Sequence, residues 1–188
     1  MSEARFEFQD GDLPGLKLVR RKPLEDARGS LVRLFCADAF RAFGFAPAIA
    51  QINQTLTRRR GTVRGLHFQR PPHAEIKLVS CLRGSIFDVA VDLREGSPTF
   101  LQWQGVVLSE ANQTGLLIPA GFAHGLQALE ADCELLYLHS EPHHPEAEGG
   151  LHPRDPALAI AWPLEITDLS DRDRSHPMLS LPPKERSR

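Results

Sequence analysis

The 188 residues carry a formal net charge of −2 with 41% hydrophobic side chains, enough for one well-buried core and short for two. That balance excludes a global basic field for nucleic acid, and no apolar run approaches the length of a membrane span. The acidic start, Met1 to Gly15, lacks a signal-peptide core, and Cys36, Cys81 and Cys133 form no CxxC unit or disulfide framework, which together point to a reducing, cytoplasmic setting.

In chain order, period-2 patterning and turn chemistry predict strands over 16–20 and 30–35, then a helix of about two turns over 38–43 with Asp38 as its cap. Further strands are expected over 48–56, 61–68, 77–83, 86–93, 101–108, 115–118, 126–129 and 133–139. Gly84, the Gly96-Ser97-Pro98 cluster and Asn112 supply turn points between them. Many short strands with little helix predict an all-β sandwich or barrel. No linker-like composition interrupts residues 14 to 165, so one domain is expected, with a tail fraying from Pro182 to Arg188.

Alternation sorts these strands into faces. Tyr137 shares a face with Cys133, Leu135 and His139, and Lys77 with Val79 and Cys81. Gln51, Asn53 and Thr55 share a third, opposite Ile52 and Leu56; alternation leaves open whether that polar row faces solvent or a cavity.

Two segments stand out as chemistry. Arg64-Gly65-Leu66-His67-Phe68-Gln69 and Pro119-Ala120-Gly121-Phe122-Ala123-His124-Gly125 each set a histidine beside glycines in strand-like sequence. Glycine permits bulges and close approach, and imidazole is the side chain best suited to moving protons near neutral pH. With Gln51-x-Asn53, Pro71-Pro72-His73-Ala74-Glu75-Ile76-Lys77, Phe87-Asp88-Val89-Ala90-Val91-Asp92, Glu148-Gly149-Gly150 and Ile160-Ala161-Trp162-Pro163, they resemble the dTDP-4-dehydrorhamnose 3,5-epimerase family over about 14–178.

The resemblance implies a cupin-type double-stranded β-helix (a jelly roll) with short flanking helices, commonly paired into a homodimer by strand exchange. It implies a cofactor-independent epimerase acting on a dTDP-linked 4-keto-6-deoxyhexose, with no nucleic-acid or membrane partner. Proton abstraction beside a ketone needs a base, an anion stabiliser and an acid on the other face. By resemblance these are His67, Lys77 and Tyr137, with Asp173 of Leu169-Ser170-Asp171-Arg172-Asp173 orienting His67 and Asp171 as the competing assignment. Taken singly, each has an ordinary structural reading; jointly they match one motif. Substrate binding falls to Arg28, Gln51, Asn53, Arg64, His124, His143 and Glu148 in the same way.

Cupins often bind a metal through two closely spaced histidines, a glutamate and a later histidine. Here Gln69 stands where the second imidazole would be, and a neutral amide is a poor ligand for transition metals, so no metal is expected. A residual site would have to use His67, His73 and His124. The Arg58-Arg59-Arg60 run reads as a solvated turn. Two departures bear on specificity: Leu31-Val32-Arg33 replaces a frequent Phe-x-Glu, and His143 replaces a frequent tyrosine near the sugar. Single-site 3- or 5-epimerisation, a metal-dependent cupin and a non-catalytic sugar-nucleotide binder stand as alternatives.

Overall fold

Two antiparallel sheets face one another in the computed structural model, which describes residues 5–46 and 48–179. The chain enters through β1 (Phe6–Asp10) and β2 (Lys17–Arg21), then makes a separate hairpin of β3 (Leu24–Asp26) and β4 (Gly29–Leu31). A short helix, α1 (Ala37–Arg41), leads to β5 (Gln51–Thr57), β6 (Val63–Gln69), β7 (Lys77–Arg83), β8 (Ser85–Asp92) and β9 (Trp103–Ser109). β10 (Thr114–Ile118), β11 (Phe122–Ala128), β12 (Cys133–His139), β13 (Glu148–Gly150) and the five-residue helix α2 (Asp171–Ser175) complete it. One sheet runs β1-β2-β10-β7-β12-β5 and the other β13-β6-β11-β8-β9. This is the expected cupin-type jelly roll.

The two sheets bury a shared core that includes Val79, Ile86, Leu108, Leu116, Ile118, Leu126 and Leu135. A second cluster gathers Phe6, Phe40 and Phe45 with Leu78 and Leu138 on the outer side of the larger sheet. That cluster explains α1: its one buried residue, Phe40, meets Phe6 edge-on with ring centroids 5.0 Å apart. A five-residue helix is unstable alone, so packing of this ring, not propensity, holds it. Asp38 does not cap it. Cys36 occupies the cap position without a side-chain bond, and Asp38 lies in the first turn, where its charge still favours the helix dipole.

Several boundaries differ from expectation for physical reasons. The strand expected over 30–35 ends at Leu31, because its only partner is β3 and the hairpin pairs with neither main sheet. The strand expected to begin at residue 126 starts at Phe122, so His124 sits within the ladder. β1, β3, β13 and α2 fall outside the expected elements; all are short, and β13 and α2 are ordered by β6, about 80 and 100 residues back along the chain. The tail from Pro182 to Arg188 lies outside the described residues. No helix among the described residues is long and apolar enough to cross a membrane.

Candidate active site

The glycines flanking the two histidines let β6 and β11 approach closely. Gly65 has φ +125°, and a Cβ there would lie 2.6 Å from the Gly125 Cα. A Cβ on Gly125 would lie 2.9 Å from the Arg64 carbonyl oxygen. Neither position tolerates a side chain without moving backbone. The register shifts between His124 and Leu126, and His124 then stands directly opposite His67. Both imidazoles line one cavity of about 670 Å³, a size suited to a small-molecule ligand.

The opposite wall is the larger sheet, whose inward residues form transverse rows. Gln51, His139 and Lys77 are paired across β5, β12 and β7, and Asn53, Tyr137 and Val79 form the next row. The polar row on β5 therefore faces inward: Asn53 and Thr55 line the main cavity, and Gln51 and Asn53 line a smaller one continuous with it. On the outer face of the same strand Ile52 is 60% and Leu56 38% exposed, the inverse of the usual arrangement.

The Nε2 atom of His67 lies 2.7 Å from Asp173 Oδ1. Helix α2 aims that carboxylate: Ser170 Oγ accepts from the Asp173 N–H, and the Gly65 N–H donates to Asp173 Oδ2 over 3.2 Å. Burial alone would raise the Asp173 pKa, but His67 and these donors outweigh it and hold the carboxyl below its ordinary 3.8. Asp171 is fully exposed and bonded to Arg174, which settles the geometry in favour of Asp173. Arg172 Nη2 also lies 2.8 Å from His67 Nε2. One nitrogen cannot serve an obligate donor and an obligate acceptor together. Asp173 is 4% exposed and braced, whereas Arg172 is half exposed, so the carboxylate holds the Nε2 proton and Nδ1 is left to accept one.

Lys77 is paired with Glu75 Oε1 at 3.0 Å. Tyr137 is buried, and burial pushes its hydroxyl well above the usual phenol range, so it stays protonated. His124 is held by the fully buried Asp88 at 2.7 Å. Arg64 braces on Thr57 Oγ1 and the Leu56 carbonyl while lining the cavity. Gln51, His143 and Glu148 line the smaller cavity; the His143 N–H donates to Gln51 Oε1, and its ring is 3.7 Å from Glu148. Arg28 is the exception. It sits on the β3–β4 hairpin, 90% exposed and paired with Asp26, and lines neither cavity.

Metal ligation fares poorly. Gln69 lines the smaller cavity, but both its amide atoms are engaged: it bonds to the carbonyls of His73 and Pro142 and to the His144 N–H. His73 lines neither cavity, so His67, His73 and His124 do not converge. Instead its ring stacks on His144 at 3.7 Å and 22°, with Glu146 nearby. One ligand atom from each of these three residues lies within 4.8 Å of the others, but His144 Nδ1 is already engaged by Glu146 Oε1 at 3.1 Å. His67, Asp173 and His176 do converge, but the Arg172 guanidinium occupies the approach to His67 Nε2.

Sequence reasoning missed Arg172 and Asp88, and it gave His139, which lines both cavities, no place in the site. Asp88 alone left a signal, a carboxylate midway along an otherwise apolar strand, where an acid needs a buried partner.

The sequence pattern of the family described as dTDP-4-dehydrorhamnose 3,5-epimerase matches residues 10–180. A relative of that name from Sinorhizobium fredii is 43% identical, covering 92% of this chain and 89% of its own. A Streptomyces niveus relative named dTDP-4-dehydrorhamnose 3-epimerase is 40% identical over 82% of this chain and 75% of its own. The crystal structure of the dTDP-6-deoxy-D-glucose-3,5-epimerase from Legionella pneumophila, in complex with dTDP-4-keto-L-rhamnose, superposes with a TM-score of 0.88. It is 39% identical, and the match covers 92% of each chain.

Proposed function

The chain belongs to the dTDP-4-dehydrorhamnose 3,5-epimerase family, and on that premise we propose that it converts dTDP-4-dehydro-6-deoxyglucose to dTDP-4-dehydrorhamnose. The observation that carries the reading is a carboxylate-backed imidazole and a protonated phenol on facing sheets of one cavity, with an ammonium between sheet and ligand space. His67 Nδ1 takes the proton from the carbon beside the ketone, and Asp173 stabilises the imidazolium that forms. Lys77 donates to the enolate oxygen. Tyr137 returns a proton to the opposite face, inverting the centre. No redox or metal step is needed for this exchange of protons.

Arg64, His124, Asn53, Gln51, His143 and Glu148 hold the nucleotide and sugar in this scheme. Arg64 suits the diphosphate because a guanidinium pairs bidentately with phosphate oxygens. Solvent deuterium exchange, read by NMR at C3 and C5 separately, tests the activity; no exchange at either carbon would refute it. His143 supports unequal rates at the two carbons, since an imidazole offers less apolar area than a phenol to steady a ring that must present both carbons to one base. His143→Tyr is expected to bring the two rates together. Equal rates in the unmodified protein would make His143 a neutral replacement.

We also infer a homodimer in the cytoplasm. Leu24 and Leu31, 43% and 61% exposed, flank Arg28 on a hairpin that joins neither main sheet, and Ile52 and Leu56 lie bare on an edge strand. Exposed apolar surface and an unpaired edge together favour association, and pairing would let Arg28 reach the cavity of a second copy. Three free cysteines, two of them buried, fit a reducing compartment. Sedimentation equilibrium is expected to return twice the chain mass, with Leu31→Glu shifting it toward monomer; a monomeric unmodified protein would end this reading.

A further inference from the structure

Beside the reacting groups, and apart from His67–Asp173 and His124–Asp88, lies a third carboxylate–imidazole couple that the mechanism above leaves unused. Glu75 precedes β7 by two residues and is 10% exposed. Its two oxygens serve two partners: Oε1 takes the Lys77 ammonium at 3.0 Å, and Oε2 takes His139 Nδ1 at 2.6 Å. His139 and Lys77 are cross-strand neighbours on β12 and β7, so one carboxylate spans both. The His139 ring runs nearly parallel to Tyr137, with centroids 6.0 Å apart, and lines both cavities. Its Nε2 lies 3.3 Å from Asn53 Nδ2.

Donor and acceptor roles follow from this geometry. An ionised carboxylate only accepts, so Nδ1 carries the proton; the Asn53 amide nitrogen only donates, so Nε2 bears the lone pair. The ring is then neutral and in its Nδ1–H tautomer. One of the two Asn53 N–H bonds is committed to His139, which fixes the plane of the amide beside the cavity. Burial opposes ionisation of Glu75, but the His139 and Lys77 contacts outweigh it and keep its pKa below the ordinary 4.5.

We propose that Glu75 and His139 are positioning residues that set the polarity of this wall. Glu75 holds the Lys77 ammonium toward the enolate and fixes the His139 tautomer, and His139 anchors the Asn53 amide by one N–H, orienting its remaining polar atoms for a hydroxyl or imide group of the ligand. The proposal rests on the sugar-nucleotide reading for what the wall meets, and the hydrogen-bond pattern holds independently of it.

Side-chain ¹⁵N NMR of the ligand-free protein at neutral pH tests the pattern directly, because the two ring nitrogens report the tautomer. His139 is expected as the neutral Nδ1–H form, and Glu75→Gln is expected to shift it toward Nε2–H. An Nε2–H or doubly protonated His139 in the unmodified protein overturns the proposal, as does a tautomer unmoved by Glu75→Gln. The first measurement needs no variant, so misfolding of Glu75→Gln cannot protect the idea. In kinetics, His139→Phe keeps the ring beside Tyr137 but frees Asn53, so KM is expected to rise about tenfold with kcat largely kept, the value of one hydrogen bond. Glu75→Gln also releases Lys77 and should lower kcat as well. Equal loss of kcat in both variants would indicate a merely structural couple. Absence of deuterium exchange with the tautomer as expected would instead sink the epimerase reading alone.

Discussion

Replacing His67 with asparagine is expected to abolish deuterium incorporation at both C3 and C5, cutting turnover by about 10²–10⁴-fold or more. The ring has a braced carboxylate behind its Nε2 and its Nδ1 left to take a proton, and it lines the cavity from the sheet facing Tyr137. The fold should survive, because the His67 side chain is about one-quarter exposed and its backbone pairing with Gly150 and His124 needs no imidazole. Tyr137→Phe should behave differently in the same assay. Proton removal continues, so deuterium still washes in with retention while inversion slows. Near-normal turnover in His67→Asn would remove the histidine from its role. Loss of exchange in Tyr137→Phe to the same low level would mean that the phenol acts before reprotonation.

Asp173→Asn is the second large effect, expected at about 10²–10⁴-fold in kcat with the substrate KM little changed. The reason lies in which end of the amide faces which partner. The Gly65 N–H is a fixed backbone donor at Oδ2, so the asparagine carbonyl takes that place and its NH₂ group turns toward His67 Nε2. His67 then accepts at Nε2 and carries its proton on Nδ1, the nitrogen that must be bare. Stability should move too. A carboxyl whose folded pKa lies below its unfolded 3.8 contributes stability that is full above that pH and is lost as pH falls through the folded value. Asp173→Asn should therefore flatten the acid limb of a pH–stability curve measured by urea unfolding. A variant with normal kcat, or an unchanged acid limb, would show that the contact does not orient the base.

The β class, β7 and β12 to the residue, and which residues share a face with Lys77 and with Tyr137 were legible in the chain alone, because strand alternation is local and has a period of two. So were the catalytic candidates, through motifs that specify residue types at set spacings. The glycines near the two histidines marked a bend or close approach in the sequence, but that β6 and β11 meet at Gly65 and Gly125 came from the structure. Tertiary structure alone decided the rest. Whether Asn53 faces solvent or ligand depends on which sheet lies opposite, and alternation is symmetric between the two faces. Asp173 reaches His67 across 106 residues through a five-residue helix too short to announce itself. Arg28, named by its motif, lies outside the cavity of its own chain because the hairpin that carries it pairs with neither sheet. The couple of Glu75 with His139 was equally hidden: the two are 64 residues apart, and only the register of β7 on β12 brings a carboxylate and an imidazole within 2.6 Å. Spacing along the chain carries chemistry that is local, whereas hydrogen-bond partners are chosen by packing between distant segments.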